Sequence, residues 1–330
     1  MTHPKHYNFI EGNWDSISGI RRFSHEAMAT TFEIITISED ERYARQAARA
    51  AFDELDRLEA DLSRFIENSD ISRINNLPAN QPLIIGPAAF ECLQHSKKMY
   101  DETNGAFDVT VGWHGLPARG VHRSSSIIHR RTKDEGQGTR DEMAVPRMTG
   151  TYLIRLNEAE HTVQLLTSPV QIDLGGIGKG FAVDRMAELL REWSIKAALI
   201  SGGYSSILAL DAPDKTNGWP VTLSNPNHRK QMLARLNLQN RALGASGIQK
   251  GGHIIDPRTA RPVQGKLAAW VCVDDAVTAD ALSTAFMVMS PDEIEKYCEQ
   301  HPEVQALVIL QQEKQQKILR LSRWETIEQN

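Results

Sequence analysis

Four glycines in six residues, Gly175, Gly176, Gly178 and Gly180, join the segment Gln171-Ile-Asp-Leu174 to a helix-forming stretch that begins near Phe181. So many glycines interrupt any regular strand and let the backbone pass close to a neighbour or a ligand. The segment therefore reads as a strand, a tight turn and a helix. Free N–H groups at the helix start can meet phosphate, and Lys179 adds a positive charge. The spacing is neither G-x-x-x-x-G-K-[ST] nor G-x-G-x-x-G. A purely structural strand-to-helix turn fits the same residues equally well.

The rest of the chain mixes helical and strand periods without strict alternation, which predicts an α+β fold of mixed sheets with packed helices. Thr31–Ile37 is rich in β-branched residues and reads as a strand. The pattern Ser38-Glu-Asp-Glu41 predicts a capping box, opening a helix that runs to about Asp61 with Ala48, Ala51, Phe52, Leu55 and Leu58 on one face. Further elements are predicted as a strand at 83–85, a helix from Pro87 to Asn104-Gly105, a hairpin over 152–156 and 162–166, and a helix over 181–193. Strands at 197–201 and 270–273, helices near 279–289 and 291–300, and two C-terminal strands follow. The span 115–150 is polar and aperiodic, and predicts a flexible insertion.

Composition narrows the function classes. With 37 Lys and Arg against 42 Asp and Glu, the net charge of -5 offers no basic surface for nucleic acid. Cys92, Cys272 and Cys298 are far apart and outside any Cys/His cluster, so they are expected as buried thiols and not as a zinc site. No stretch has the length and apolarity of a membrane span. The first residues lack the apolar core of a secretory signal, so the expectation is a cytoplasmic protein, or a periplasmic one if such a signal had been trimmed.

A second chemical segment is Thr278-Ala-Asp-Ala-Leu-Ser-Thr284. Asp280 and Thr284 stand four apart on an apolar helix, so both oxygens project from one face toward a shared point, a donor pair suited to a hard cation such as magnesium. The alternative is that Asp280 caps the helix and Thr284 bonds back to its carbonyl. Three more segments carry polar residues in turn-plus-strand or capping contexts: Asp61–Asn75, Gly105–Gly112 and Gly251–Thr259.

Taken together and in order, these segments resemble the ApbE family of FAD:protein FMN transferases. The resemblance rests on Met28-Ala-Thr30, Ser63-Arg-Phe65 with Ser69 and Asn75, Gly105–Thr110, Asp173–Gly180, Ser246-Gly247 with His253–Pro257, and Ala279–Thr284. It implies an ApbE-like, T-fold-like domain over 23–330 after an N-terminal extension, 1–22. The implied activity is magnesium-dependent transfer of FMN from FAD to a threonine of a target flavoprotein with release of AMP, or hydrolysis of FAD to FMN and AMP. The alternative is a catalytically silent FAD-binding protein of the same fold.

By position, the resemblance implies Gly178, Asp280 and Thr284 as metal ligands, and Met28, Phe65, Ala106, Phe107, Asp108, Lys179 and His253 as flavin contacts. It implies catalytic roles for Asp280, which would help accept the hydroxyl proton, and for His253 and Lys179, which would stabilise phosphate charge. The chain departs from the family pattern at Ala29, Phe65, Ala245 and Ala260, at Gly202-Gly-Tyr-Ser-Ser206, and in a shortened stretch between Ser246 and His253.

Overall fold

The computed structural model describes residues 10–11, 19–111, 149–250, 254–312, 315–322 and 324. The insertion predicted at 115–150 lies outside them except for its last two residues, and His253 lies outside them as well. In chain order the elements are β1 (Ile10–Glu11), β2 (Ile20–Ala27), β3 (Thr30–Ile37), α1 (Glu41–Leu62), α2 (Asp70–Asn75), β4 (Pro82–Ile84), α3 (Pro87–Glu102), β5 (Ile154–Asn157), β6 (Thr162–Leu165), α4 (Gly178–Glu192), β7 (Ala198–Gly202), β8 (Ser206–Ala209), β9 (Trp219–Asn225), β10 (His228–Leu238), β11 (Arg241–Gly247), β12 (Ile255–Asp256), β13 (Arg261–Pro262), β14 (Lys266–Val273), α5 (Ala276–Val288), α6 (Pro291–Gln300), β15 (Gln305–Gln312) and β16 (Gln315–Leu321).

Eight strands form one sheet in the order β16-β15-β14-β11-β8-β7-β3-β2, antiparallel at every described pairing. Three smaller sheets, β1-β9-β10, β4-β6-β5 and β12-β13, complete the α+β architecture. Ile10–Glu11 and Ile20–Arg22, which the sequence places in an N-terminal extension, pair into two of these sheets.

The large sheet is covered on both faces, which explains why β14 is buried along its whole length. Ala269, Val271 and Val273 join the core shared with the helices, whereas Leu267, Trp270 and Cys272 join a second core with β9 and β10. Along α1, Ala47, Ala48, Ala51, Leu55, Leu58 and Leu62 form the buried stripe that the helical spacing predicts. Its start differs from the predicted capping box. Asp40 accepts from the Tyr43 amide at 3.0 Å, while the Ser38 hydroxyl donates to the Asp40 carbonyl at 2.9 Å. Asp40, immediately before the first helical residue, takes the capping place. All three cysteines are buried free thiols, and no described helix is long and apolar enough to cross a membrane.

Helix α5 lies flush between the sheet and α4, because two glycines leave no side chain in the way. A Cβ on Gly244 of β11 would lie 2.1 Å from the Ala279 carbonyl oxygen, and one on Gly180 of α4 would lie 2.1 Å from that of Ala276. This close seat places α5 against the glycine turn.

The β2–β3 connection turns on Met28 and Ala29, both left-handed at φ 50° and 56°. Two-residue hairpin turns need that conformation, and it costs a residue with a Cβ about 1 kcal/mol. Ala29→Gly is therefore expected to raise the melting midpoint by about 2 °C. A midpoint that stays level or falls in thermal unfolding would show that the turn is not strained.

Candidate functional site

Helix α5 begins one residue after Asp275, whose carboxylate accepts from the Thr278 amide at 2.8 Å. Asp275 is thus the helix cap, which removes that role from Asp280. Asp280 lies more than a turn inside the helix, is 2% exposed, and turns its carboxylate toward α4. One oxygen accepts from the Gly180 amide at 3.0 Å, and the Lys179 ammonium stands 3.3 and 3.4 Å from the two oxygens. The Thr284 hydroxyl lies 3.2 Å from the Asp280 carbonyl and 3.2 Å from the Ser246 hydroxyl. The back-bond half of the alternative reading is present, and the cap half is not.

The glycine turn reaches this helix directly. A Cβ on Gly176 would meet the Thr284 hydroxyl oxygen at 3.2 Å and the Phe107 ring at 3.4 Å, so that glycine brings three predicted segments into contact. The strand predicted before the turn is reduced to an isolated bridge between Val111 and Gln171, and Asn75 holds the extended segment that follows: its side chain accepts from the Ile172 amide at 2.6 Å and donates to the Ile172 carbonyl at 3.0 Å. Asp173 accepts from the Gly175 amide at 2.9 Å within the turn.

Met28, Phe65, Gly178 and Lys179 line a single cleft of about 340 Å³, together with Thr30, Arg64, Asp173 and Ser205. That volume is in the range of small-molecule sites. Phe65 is 69% exposed, with the Arg64 guanidinium 4.8 Å over its ring, and Arg64 also pairs with Asp173 at 3.3 Å. The β7–β8 turn, Gly203-Tyr204, abuts the Met28 turn at the rim, where a Cβ on Gly203 would strike Thr30.

Ala106, Phe107 and Asp108, expected as flavin contacts, have buried side chains and are not among the residues that line the cleft. One Asp108 oxygen accepts from the Thr110 amide and from the hydroxyls of Thr110 and Thr151, all at 2.8–2.9 Å. Burial pushes its carboxyl up against the opposing pull of those donors. These residues brace the turn, and the flanking backbone is what they can offer a ligand.

The donor chemistry beside Lys179 fits a magnesium ion. Among the described residues no group of three or more His, Cys, Asp or Glu side chains converges, so a zinc-type cluster is absent there. Asp280 offers one buried carboxylate, Thr284 a hydroxyl and the glycine turn its carbonyls, all hard oxygens. Magnesium is commonly held by one or two carboxylates plus substrate phosphates, which such a set leaves room for.

The sequence model of the ApbE family matches residues 28–308. The chain belongs to the ApbE family. It is 28% identical over 254 residues to the FAD:protein FMN transferase of Haemophilus influenzae, covering 71% of this chain and 69% of that one. It is 25% identical over 287 residues to the enzyme of the same name from Klebsiella pneumoniae, covering 82% and 79%. Among solved structures, the flavin transferase ApbE of Vibrio cholerae superposes with a TM-score of 0.75 at 22% identity, over 92% of this chain and 98% of that one. The apo flavinyl transferase ApbE of Pseudomonas stutzeri gives 0.76 at 19% identity, over 92% and 94%. These two share the fold.

Within this ApbE-family site, sequence reasoning passed over Arg64, Thr30 and Ser205. All three fall inside segments singled out for other residues, and nothing local marks any of them as facing a cleft. The abutting hairpin turns bring Thr30 and Ser205 there, and the connection between α1 and α2 brings Arg64.

Proposed function

We propose that the protein is a magnesium-dependent FAD:protein FMN transferase that moves FMN from FAD onto a threonine of a target flavoprotein and releases AMP, with hydrolysis of FAD as its water-using variant. The observation that carries this reading is the meeting of the buried Asp280 carboxylate, the Thr284 hydroxyl and the Lys179 glycine turn beside a cleft that Met28 and Phe65 line. The names of the relatives support the reaction class.

In this reading Asp280, Thr284 and a carbonyl of the turn at Gly178 hold magnesium. The bound ion supplies charge neutralisation for the pyrophosphate. The acceptor hydroxyl oxygen forms a bond to the FMN phosphorus, the bridging P–O bond breaks, and its electron pair leaves on AMP. Lys179 would stabilise the charge on the phosphates, and His253 would donate to them. Asp280 would help accept the hydroxyl proton. The flavin or adenine ring lies against Phe65 and Met28, while Ala106, Phe107 and Asp108 contribute through backbone and bracing.

Because Phe65 is exposed, Phe65→Ala is expected to weaken FAD binding about fivefold with no change in melting midpoint, since one aromatic contact contributes about 1 kcal/mol. Unchanged affinity in a fluorescence titration would remove the ring from this cleft. Incubating the protein with FAD and magnesium tests the chemistry. AMP accumulation is expected, and FAD that binds without releasing AMP would make the protein a silent binder.

A further inference from the structure

We propose that Asp184 is a positioning residue for this site: from α4 it holds the first two N–H groups of α5, and so fixes the register that sets Asp280 and Thr284 against the glycine turn. The two helices exchange carboxylates. One Asp184 oxygen accepts from the Ala276 amide and the other from the Val277 amide, both at 2.8 Å. In return Asp280 accepts from the Gly180 amide, in the first turn of α4, at 3.0 Å.

Each carboxylate stands four residues after its own helix's contact point, Gly180 with Asp184 and Ala276 with Asp280, so contact and clamp share one face. Helix α4 has no side-chain cap of its own at Ile177, and Asp280 satisfies one of its orphan donors. The glycine at position 180 lets the helices approach until the reciprocal bonds close. Burial pushes the Asp184 carboxyl up to about 7 even though both donors pull it down. A buried carboxylate with both oxygens committed ties the helices together more firmly than a surface pair does.

The inference rests on the assignment of Asp280 and Thr284 as metal ligands. The test compares Asp184→Asn, which keeps size but turns an NH2 toward one amide, with Asp275→Ala, which removes a cap internal to α5. Mn2+ binding is measured by electron paramagnetic resonance with and without FAD, alongside AMP release and melting. Both variants are expected to melt earlier. Only Asp184→Asn should lose Mn2+ affinity, by about tenfold as supporting residues of metal sites do, with kcat for AMP release falling alongside and KM for FAD within about twofold.

Equal Mn2+ affinity in Asp184→Asn and the unmodified protein, or equal losses in both variants, would overturn the positioning role alone. An unmodified protein that binds no Mn2+ either with or without FAD would overturn the site assignment and the inference with it. Hydrogen exchange checks the clamp without any variant: the Gly180, Ala276 and Val277 amides should exchange together and slowly. Exchange of Ala276 and Val277 at the rate of a frayed helix start would contradict it.

Discussion

Asp280→Ala is expected to cut magnesium-dependent AMP release from FAD by about a thousandfold, because a metal ion contributes several kcal/mol of charge stabilisation and each 1.36 kcal/mol is tenfold in rate. Among the described residues, Asp280 is the carboxylate that both the Lys179 ammonium and the Gly180 amide hold. The substitution also leaves the Lys179 ammonium and the Gly180 amide without their shared partner, at a cost of about 1–3 kcal/mol in stability. Thr284→Ala should cost less, since water can replace a neutral ligand. Melting and turnover measured on one sample decide the matter. A folded Asp280→Ala protein that still releases AMP only with magnesium would refute the metal assignment.

Gly180→Ala is expected to destabilise the protein by about 3 kcal/mol and to reduce AMP release about a hundredfold. The sign is the informative part. Alanine in a helix is ordinarily worth about 1 kcal/mol over glycine, so propensity alone points to a gain. Here the new Cβ would fall 2.1 Å from the Ala276 carbonyl oxygen and 2.8 Å from the Asp280 Cβ, and backbone on two packed helices has to move. A displacement of about 1 Å in a catalytic group can cost a hundredfold. Gly178→Ala is the internal comparison, because its Cβ would meet only the Leu174 Cβ at 3.7 Å, an ordinary contact. Equal melting midpoints for the two variants would show that α4 and α5 are not pressed together as described.

The α+β class and the long helices were legible in the sequence, and so was part of the candidate site's geometry. The four-residue spacing of Asp280 and Thr284 needs only helical geometry to place both on one face, and the glycine density announces the close turn. The strands between 203 and 247 were invisible by the same reasoning. In β10 the run Lys-Gln-Met-Leu-Ala-Arg-Leu is built of helix formers, yet it pairs with β9 and buries Leu233, Ala234, Leu236 and Leu238. Burial against the outer face of the large sheet overrides local propensity there. Strand β2, with Ser24, His25 and Glu26, lacks an apolar signature because it is an edge strand, and only its pairing with β3 reveals it. Asp184 stood at the end of a recognised motif, but its partners, Ala276 and Val277, lie more than ninety residues away.

The most direct test adds FAD to the protein together with a flavoprotein domain that carries an acceptor threonine, with magnesium in one sample and EDTA in the other. With magnesium, AMP and flavin fluorescence that survives on the denatured acceptor should appear in equal amounts, and with EDTA neither should. FAD that stays intact in the magnesium sample while bound to the protein, or flavin that transfers equally well in EDTA, would contradict the account.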